Sequence, residues 1–248
     1  MAEVLNFEHN GITVNATESP EAMGGLGDNV IGLVGTAPNA HASIPKNAPF
    51  RINSFTTQAL LDPTGAESGT LFQAVYQILK VVKVPVYVVI VEEGATPADT
   101  LNNVIGGNEP TTGRKLGLAA LSSVPEDLTI IAAPGFTGTK AVAGEFASFG
   151  KRIKARVVLD GKDASVADQV TYSGELGGAD LGFDRCLLVH NMPSVYSKAA
   201  KKNVFLSPSS LAIAALAKVK QWESPGNQVT FAEDVSRVVE YNILDTST

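Results

Sequence analysis

The sequence predicts an α/β protein: a doubly wound, mostly parallel sheet flanked by helices, with an extended N-terminal arm and a terminal strand. Three observations support this prediction. A short apolar run from Asn29 to Pro38 is bounded by glycine and proline, which is typical of a buried central strand. Residues 69–92 show a helical pattern followed by a continuous apolar strand. Residues 128–190 repeat this alternation of strand and helix, which predicts a parallel sheet.

The segment before the central strand predicts an extended arm. Ile12 and Val14 alternate with the polar residues Thr13 and Asn15, which is a period of two. A lone strand of this kind is only marginally stable, so it must pair with its own sheet or with another chain. We therefore divide the chain into an arm at 1–22, an α/β body at 23–234, and a terminal strand with the chain end at 235–248.

Periodicity and turn residues predict the elements of the body in order. The central strand contains Gly32 and Gly35, so we expect a close neighbour on at least one of its faces. The elements that follow are a loop at 39–57 with an edge strand at 51–55, a helix start at 58–61, a helix that Pro85 ends, a strand at 86–91, short helices at 97–107 and 113–122, a strand at 128–133, a helix at 140–154, a strand at 155–160, a helix near 164–170, a strand at 185–190, a polar connection at 191–203, a helix at 209–220 with Ser207 as its cap, and a final strand at 235–244.

Composition excludes several classes of protein. The 248 residues are 44% hydrophobic and 18% charged, which is typical of a folded chain with a sizeable core. The net charge of −6 and the lack of a long basic run argue against nucleic acid as a direct partner. The single cysteine, Cys186, excludes an intramolecular disulfide and a cysteine zinc cluster. No signal peptide and no transmembrane helix are expected, so we predict no membrane insertion.

One strand-to-helix turn has some features of a phosphate-binding loop. Such a loop needs backbone N–H groups at a helix start and a lysine that reaches the phosphates. The turn from Gly135 to Lys140 is two residues too short, and Thr139 stands where a glycine should precede the lysine. The glycines at 24–27 precede a strand, whereas a dinucleotide fingerprint follows one. We therefore predict no nucleotide or other cofactor.

No other group of residues predicts catalysis or metal binding. The three histidines lie in separate elements without ligand spacing, so a metal site is not expected. Cys186 and His190 share one face of a strand but are separated by ~13 Å, which is too far for a nucleophile and its base. The densest basic cluster comprises Lys151, Arg152, Lys154 and Arg156. It is either a solvated helix face or a patch that meets an acidic surface on another protein.

Three stretches in chain order match a known pattern. They are Gly11-Ile-Thr-Val14, then Val30-Ile-Gly-Leu-Val-Gly-Thr-Ala-Pro38 with the Asn47-Ala-Pro49 and Gly69-Thr-Leu71 segments after it, and Val204-Phe-Leu-Ser-Pro-Ser-Ser210 through Trp222-Glu-Ser-Pro-Gly-Asn227. On these stretches the chain resembles the contractile tail sheath proteins of myophages and R-type pyocin particles. The resemblance does not include the family's C-terminal part with its Trp-Gly-x-Arg-Thr motif, because this chain stops at Thr248.

The resemblance implies a structural subunit and not an enzyme. Such a subunit would belong to a sheath that surrounds an inner tube and shortens to drive the tube through a target cell envelope. Its partners would be copies of itself in hexameric rings stacked helically, the inner tail tube protein, the baseplate and the tail terminator, all in a virion tail assembled in the bacterial host cytoplasm. The inter-subunit residues we expect are Ile12 and Val14 for strand addition, Val239, Tyr241 and Ile243 on the terminal strand, and Lys151, Arg152 and Lys154 for a charged contact.

Two other classes stay open at this point. One is an α/β enzyme that binds a nucleotide or another small molecule. The other is a phage tail or baseplate protein that is not a sheath subunit.

Overall fold

The computed structural model describes residues 29–162, 166–177, 183–190, 192–220 and 238–241. The strands in these ranges are β1 (Ile31–Thr36), β2 (Pro49–Ile52), β3 (Val86–Val91), β4 (Gly107–Asn108), β5 (Lys115–Leu116), β6 (Ile130–Ala132), β7 (Arg156–Asp160), β8 (Cys186–Val189), β9 (Pro193–Ser197), β10 (Lys202–Phe205) and β11 (Val238–Tyr241). The α-helices are α1 (Phe55–Gln58), α2 (Leu71–Val81), α3 (Pro97–Ile105), α4 (Lys140–Ile153), α5 (Val166–Glu175) and α6 (Ser209–Lys218), and 3₁₀ helices span Ala59–Leu61 and Gly117–Ser123.

The main sheet of the described residues has six strands in the order β2-β3-β1-β6-β7-β8. All neighbouring pairs in it are parallel except β2 with β3. β1 is an inner strand, because Ile31 pairs with Val86 of β3 on one side and with Ile130 of β6 on the other. The prediction of a central parallel strand at 29–38 is therefore confirmed.

The two glycines of β1 leave room for side chains that pack on opposite faces of the sheet. A Cβ at Gly32 would lie 3.0 Å from a methyl group of Leu128, and one at Gly35 would lie 2.5 Å from the hydroxyl oxygen of Thr70. Residues 32 and 35 are three positions apart, so their faces differ. The expected close approach is confirmed, and it occurs on both faces.

Helices cover both faces of the sheet, as a doubly wound fold requires. On one face, α3, α4 and α5 pack with Phe146 and Tyr172 in the core. On the other face, α2 and α6 pack against the strands with Leu71, Ile78 and Ile213 in the core. These five side chains are fully buried. The predicted α/β class and its parallel crossover from β1 through α2 to β3 are confirmed.

Two predicted connections are wrong. The polar connection expected at 191–203 contains an antiparallel hairpin of β9 and β10. β9 has one large apolar residue that is fully buried, Val195, so its sequence lacks the apolar alternation that identifies a strand. The helix expected at 113–122 begins later as the 3₁₀ helix Gly117–Ser123, and the small β4–β5 hairpin precedes it. Two-residue strands are too short for a periodicity to be visible.

The hairpin of β9 and β10 belongs to a second sheet. Among the described residues this sheet has the order β10-β9-β11, and β11 pairs antiparallel with β9. A register shift lies between Val238 and Glu240, so the alternation predicted for the terminal strand is interrupted at Val239.

Candidate functional site

A buried asparagine joins the two places at which the terminal segments meet the body. The side-chain nitrogen of Asn29 donates hydrogen bonds to the carbonyl oxygens of Ala217 and Val219, both at 3.1 Å. Its side-chain oxygen accepts a hydrogen bond from the hydroxyl of Thr129 at 3.2 Å. Asn29 is fully buried, so these bonds are shielded from water. We call Asn29 with these three partners the terminal clamp.

The terminal clamp places the starts of two segments side by side. Asn29 directly follows residues 1–28 and lies two residues before β1, while Val219 follows the last turn of α6. Both segments therefore meet the body at the edge where the parallel strands begin. The sequence gives no sign of this contact because the hydrogen-bonded residues are 188 and 190 positions apart.

We expect Asn29→Leu to lower the free energy of unfolding by about 1–3 kcal/mol. Leucine has a similar size but leaves the carbonyl oxygens of Ala217 and Val219 and the Thr129 hydroxyl without this partner. Urea unfolding followed by circular dichroism measures the effect. Asn102→Leu is the control, since Asn102 is exposed on α3 and its replacement should change stability by less than about 0.5 kcal/mol. Equal urea midpoints for the two variants would contradict this role of the terminal clamp.

The three basic residues predicted for a charged contact lie together at the end of α4. Lys151, Arg152 and Lys154 are exposed. Lys154 adopts the left-handed conformation, with φ of 61°, that ends the helix. Arg185 is exposed beside them, and its guanidinium donates a hydrogen bond to the backbone carbonyl of Lys154 at 3.1 Å. We call Lys151, Arg152, Lys154 and Arg185 the basic cluster.

Two features stabilise the positive charges of the basic cluster. The guanidinium of Arg152 lies 4.8 Å from the centre of the Phe149 ring, which is a cation–π contact. Cations are also favoured at a helix C-terminus, because the last carbonyl groups carry partial negative charge. Arg156, which the sequence had grouped with these lysines, differs from them: it is half-buried at the start of β7, and burial lowers its pKa. Arg185 was missed because it lies outside α4, in the turn directly before β8.

The second sheet presents an edge strand and two exposed aromatic rings. Tyr196 is opposite Asn203 and Phe205 is opposite Ser194, so both aromatic side chains lie on one face of the hairpin. Tyr196 is 43% exposed and Phe205 is 52% exposed. β10 lies at one edge of this sheet in the described part of the chain.

The strand residues predicted for inter-subunit contacts are only partly covered by the structure. Val239 and Tyr241 belong to β11, whose Tyr241 pairs with Pro193 of β9. Ile12, Val14 and Ile243 lie outside the described residues.

Asp160 holds together the opposite edge of the main sheet, where the strands end. Its buried carboxylate accepts four hydrogen bonds: from the N–H groups of Gly135 and Ser209 at 2.8 Å each, and from the hydroxyls of Thr137 at 3.3 Å and Ser207 at 2.5 Å. A carboxylate at a helix N-terminus is favourable, and Ser209 is the first residue of α6. Asp160 therefore caps α6, and the prediction that Ser207 does so is wrong.

The Asp160 network also includes the turn at 135–140, which the sequence compared with a phosphate-binding loop. An anion-binding turn needs free backbone N–H groups at the helix start. The N–H of Gly135 instead donates to the carboxylate of Asp160. The network continues on the next helix, where the Tyr172 hydroxyl donates to the Thr137 carbonyl at 2.6 Å and burial raises the pKa of Tyr172 to about 12. Two backbone groups of this turn, the Gly135 N–H and the Thr137 carbonyl, are thus used in hydrogen bonds within the protein.

A cleft of about 540 Å³ opens where the loops after β1, β3 and β6 diverge. In doubly wound sheets such a point commonly binds ligands. Two of the threonine hydroxyls in its wall already accept backbone hydrogen bonds, Thr70 from Thr36 at 3.2 Å and Thr100 from Gly94 at 2.9 Å. Glu93 is the charged residue among those lining the cleft, so the wall offers no cation for a phosphate.

The remaining features to consider are the Cys186 thiol, groups of metal-ligating side chains and helices that could span a membrane. Burial, with a smaller effect of Asp184, raises the pKa of the Cys186 thiol to about 11, which disfavours the nucleophilic thiolate. In the ranges that the structure covers, no group of three or more His, Cys, Asp or Glu side chains is placed to hold a metal ion. In the same ranges, no helix has both the length and the apolar character needed to span a bilayer.

The chain is similar to known proteins in both sequence and structure. No known protein-family profile matches the chain. Over 251 aligned residues, covering 96% of the chain, it is 27% identical to a protein of Pseudomonas aeruginosa strain UCBPP-PA14 named "Putative prophage major tail sheath protein". Its structure matches a chain of the PVC sheath complex, an extracellular contractile injection system in the contracted state, with a TM-score of 0.55 over 92% of the chain and 15% identity.

The fold is that of a contractile sheath protein. The chain resembles tail sheath proteins in sequence as well, so the resemblance predicted from three short stretches is confirmed. It spans 62% of the length of the Pseudomonas protein and 56% of the PVC sheath chain. The sheath fold described here therefore corresponds to a part of these longer chains.

Proposed function

We propose that this chain is a structural subunit of a contractile tail sheath, which surrounds an inner tube and shortens to drive that tube through a target cell envelope. The similarity to a prophage tail sheath protein along 96% of the chain carries the proposal. The match to a sheath chain in the contracted state supports it independently at the level of the fold.

Assembly into a sheath requires copies of the chain to bind one another. In the proposed arrangement, hexameric rings stack helically around the inner tail tube protein, between the baseplate and the tail terminator. The whole would form part of a virion tail assembled in the bacterial host cytoplasm. The rigid α/β body keeps its fold while the contacts between bodies change, since packed interfaces switch between discrete arrangements.

Terminal segments would connect neighbouring bodies during this change. Ile12 and Val14 are proposed to add a strand to an exposed sheet edge of the next copy, a common mode of recognition. β10 is a suitable acceptor because it is an edge strand that carries the exposed Phe205. Val239, Tyr241 and Ile243 are proposed to contribute the terminal strand. The basic cluster, with the predicted residues Lys151, Arg152 and Lys154, would form a charged contact.

The proposal assigns no catalytic activity and no cofactor to the chain. Contraction would draw its energy from new burial and charge pairing between subunits, not from nucleotide hydrolysis. The state of the strand ends supports this: the Gly135 N–H is used by Asp160, and the hydroxyls of Thr70 and Thr100 accept internal hydrogen bonds.

Electron microscopy of the purified chain tests the proposed function. Hollow helical tubes are the expected result, since a sheath subunit stacks its rings with a continuous twist. Closed single rings would point to another tail or baseplate protein. A monodisperse monomer at every concentration, together with a thermal shift on adding nucleotides, would overturn the proposal in favour of a ligand-binding enzyme.

A further inference from the structure

The cleft beyond the end of β1 has a largely apolar wall. β1 lies between β3 and β6, and the cleft of about 540 Å³ opens next to its last residue, Thr36. Pro97, Leu101 and Phe136 line it, and the last two are half-buried against the core. Clefts of this size, with apolar walls and a few polar groups, are typical of sites that bind small molecules or side chains. The wall therefore suits a ligand with an apolar chain.

Glu93 supplies the charge in this cleft. Its neighbour Glu92 lines a different cleft and forms an ion pair with Lys46 at 2.7 Å. Glu93 forms no ion pair with any residue in the ranges that the structure describes, and no lysine or arginine lines the cleft. A cation that enters the cleft thus meets a carboxylate that is not already neutralised, whereas a carboxylate or phosphate group is repelled.

The backbone that carries Glu93 is held against α3. The N–H of the next residue, Gly94, donates a hydrogen bond to the hydroxyl of Thr100 at 2.9 Å. A Cβ at Gly94 would lie 2.3 Å from the Cβ of Asp99, so the loop packs directly on the first turn of the helix. The Glu93 side chain therefore extends from an ordered backbone, and less entropy is lost when it binds a ligand.

We propose that the cleft binds an alkylammonium group, which is a positively charged amine on an apolar chain. The ammonium group lies beside the carboxylate of Glu93, and the apolar chain lies along Leu101 and Phe136. The aromatic ring of Phe136 also favours a cation, since the faces of aromatic rings carry partial negative charge. The same chemistry occurs in a free amine and in the lysine side chain of a partner protein, whose stem is apolar. This inference does not depend on the proposed sheath function.

Saturation-transfer NMR with n-pentylammonium tests the proposal. The method observes the signals of the ligand, so it works for a single chain and for an assembled tube. We expect transfer to the alkyl protons and a Kd of about 1–10 mM, because the ligand is very small. Neutral n-pentanol and negatively charged pentanoate have the same chain and should bind several-fold more weakly. No transfer to n-pentylammonium, or equal transfer to pentanoate, would overturn the proposal.

Glu93→Gln and Glu92→Gln form a matched pair of variants. Both residues are exposed, so neither change should alter the thermal unfolding midpoint. We expect Glu93→Gln to raise the Kd of n-pentylammonium about threefold to fivefold, which is typical of a partly exposed ion pair. Glu92→Gln should leave the Kd unchanged, because Glu92 lines the other cleft. Equal Kd values for these two variants would refute the role of Glu93.

A change of volume without a change of charge provides an independent test. Ala95 lines the cleft and is exposed, so Ala95→Trp should fill part of the cleft and weaken the binding of n-pentylammonium several-fold. Unchanged binding would place the ligand outside the cleft and overturn the proposal.

A second probe distinguishes the two sources of the ligand. N-acetyl-lysine N-methylamide presents its ammonium group as a protein does. Binding as tight as that of n-pentylammonium supports a lysine of a partner protein, while binding of n-pentylammonium alone supports a free amine. None of these measurements depends on tube formation, so failure of this inference leaves the sheath function standing.

Discussion

Replacement of Asp160 by alanine is expected to lower the free energy of unfolding by about 2–4 kcal/mol. The carboxylate accepts four hydrogen bonds, and two of its donors, the Ser209 N–H and the Thr137 hydroxyl, belong to fully buried residues. Alanine leaves these donors without a partner and removes the negative charge at the N-terminus of α6. Such a change is a large fraction of the 5–15 kcal/mol by which folded domains are typically stable.

Urea unfolding of Asp160→Ala, Asp160→Asn and the parent chain measures this effect. Asparagine keeps one acceptor oxygen but turns an NH₂ group toward two of the four donors, so an intermediate loss of stability is expected. Asp127→Ala is the matched control because Asp127 is exposed in the loop before β6. The role of Asp160 is refuted if Asp160→Ala unfolds at the same urea concentration as the Asp127 variant.

Deletion of residues 1–20 is expected to abolish tube formation while the body stays folded. The described core begins at Asn29, and its buried side chains and sheet pairings all lie at or beyond that residue. The deletion should therefore leave the thermal unfolding midpoint within a few degrees of the parent. It removes Ile12 and Val14, the residues proposed for strand addition to a neighbour. Electron microscopy for tubes and circular dichroism for the fold measure the two outcomes separately.

A pair of double variants makes the test specific for one face of the arm. Ile12→Asp with Val14→Asp should prevent tubes, because charges would replace the apolar side chains that are proposed to pack on the neighbour. Thr13→Asp with Asn15→Asp adds the same charges on the other face of the predicted strand and should leave tubes intact. Normal tubes from the deletion variant, or equal behaviour of the two double variants, would count against the arm hypothesis.

Periodicity predicted the main sheet well because its strands are parallel and buried on both faces. Such strands read as continuous apolar runs, as at β1, β3 and β7, and amphipathic helices lie between them in the sequence. The second sheet was not predicted, because its strands lack such apolar runs. β10 is mostly exposed, and β9 is buried largely through proline and serine, so neither has a clear apolar pattern.

The candidate site was predicted only where its members are neighbours in sequence. Lys151, Arg152 and Lys154 are close along one helix turn, and the structure places them together on an exposed surface. Arg185 joins them from the turn directly before β8, 31 positions after Lys154. The resemblance to sheath proteins was found for a different reason, since it depends on the order of short motifs and not on contacts.

What the sequence by itself determined is the layer architecture, the central position of residues 29–38 and the similarity to sheath proteins. Those properties follow from local apolar runs, glycine positions and motif order. Only the tertiary structure decided that Asn29 ties β1 to the end of α6, and that Asp160 caps α6 and uses the Gly135 N–H. Both are buried polar groups whose partners are distant in the chain. Burial requires that such groups find partners, but a local pattern does not show where those partners are.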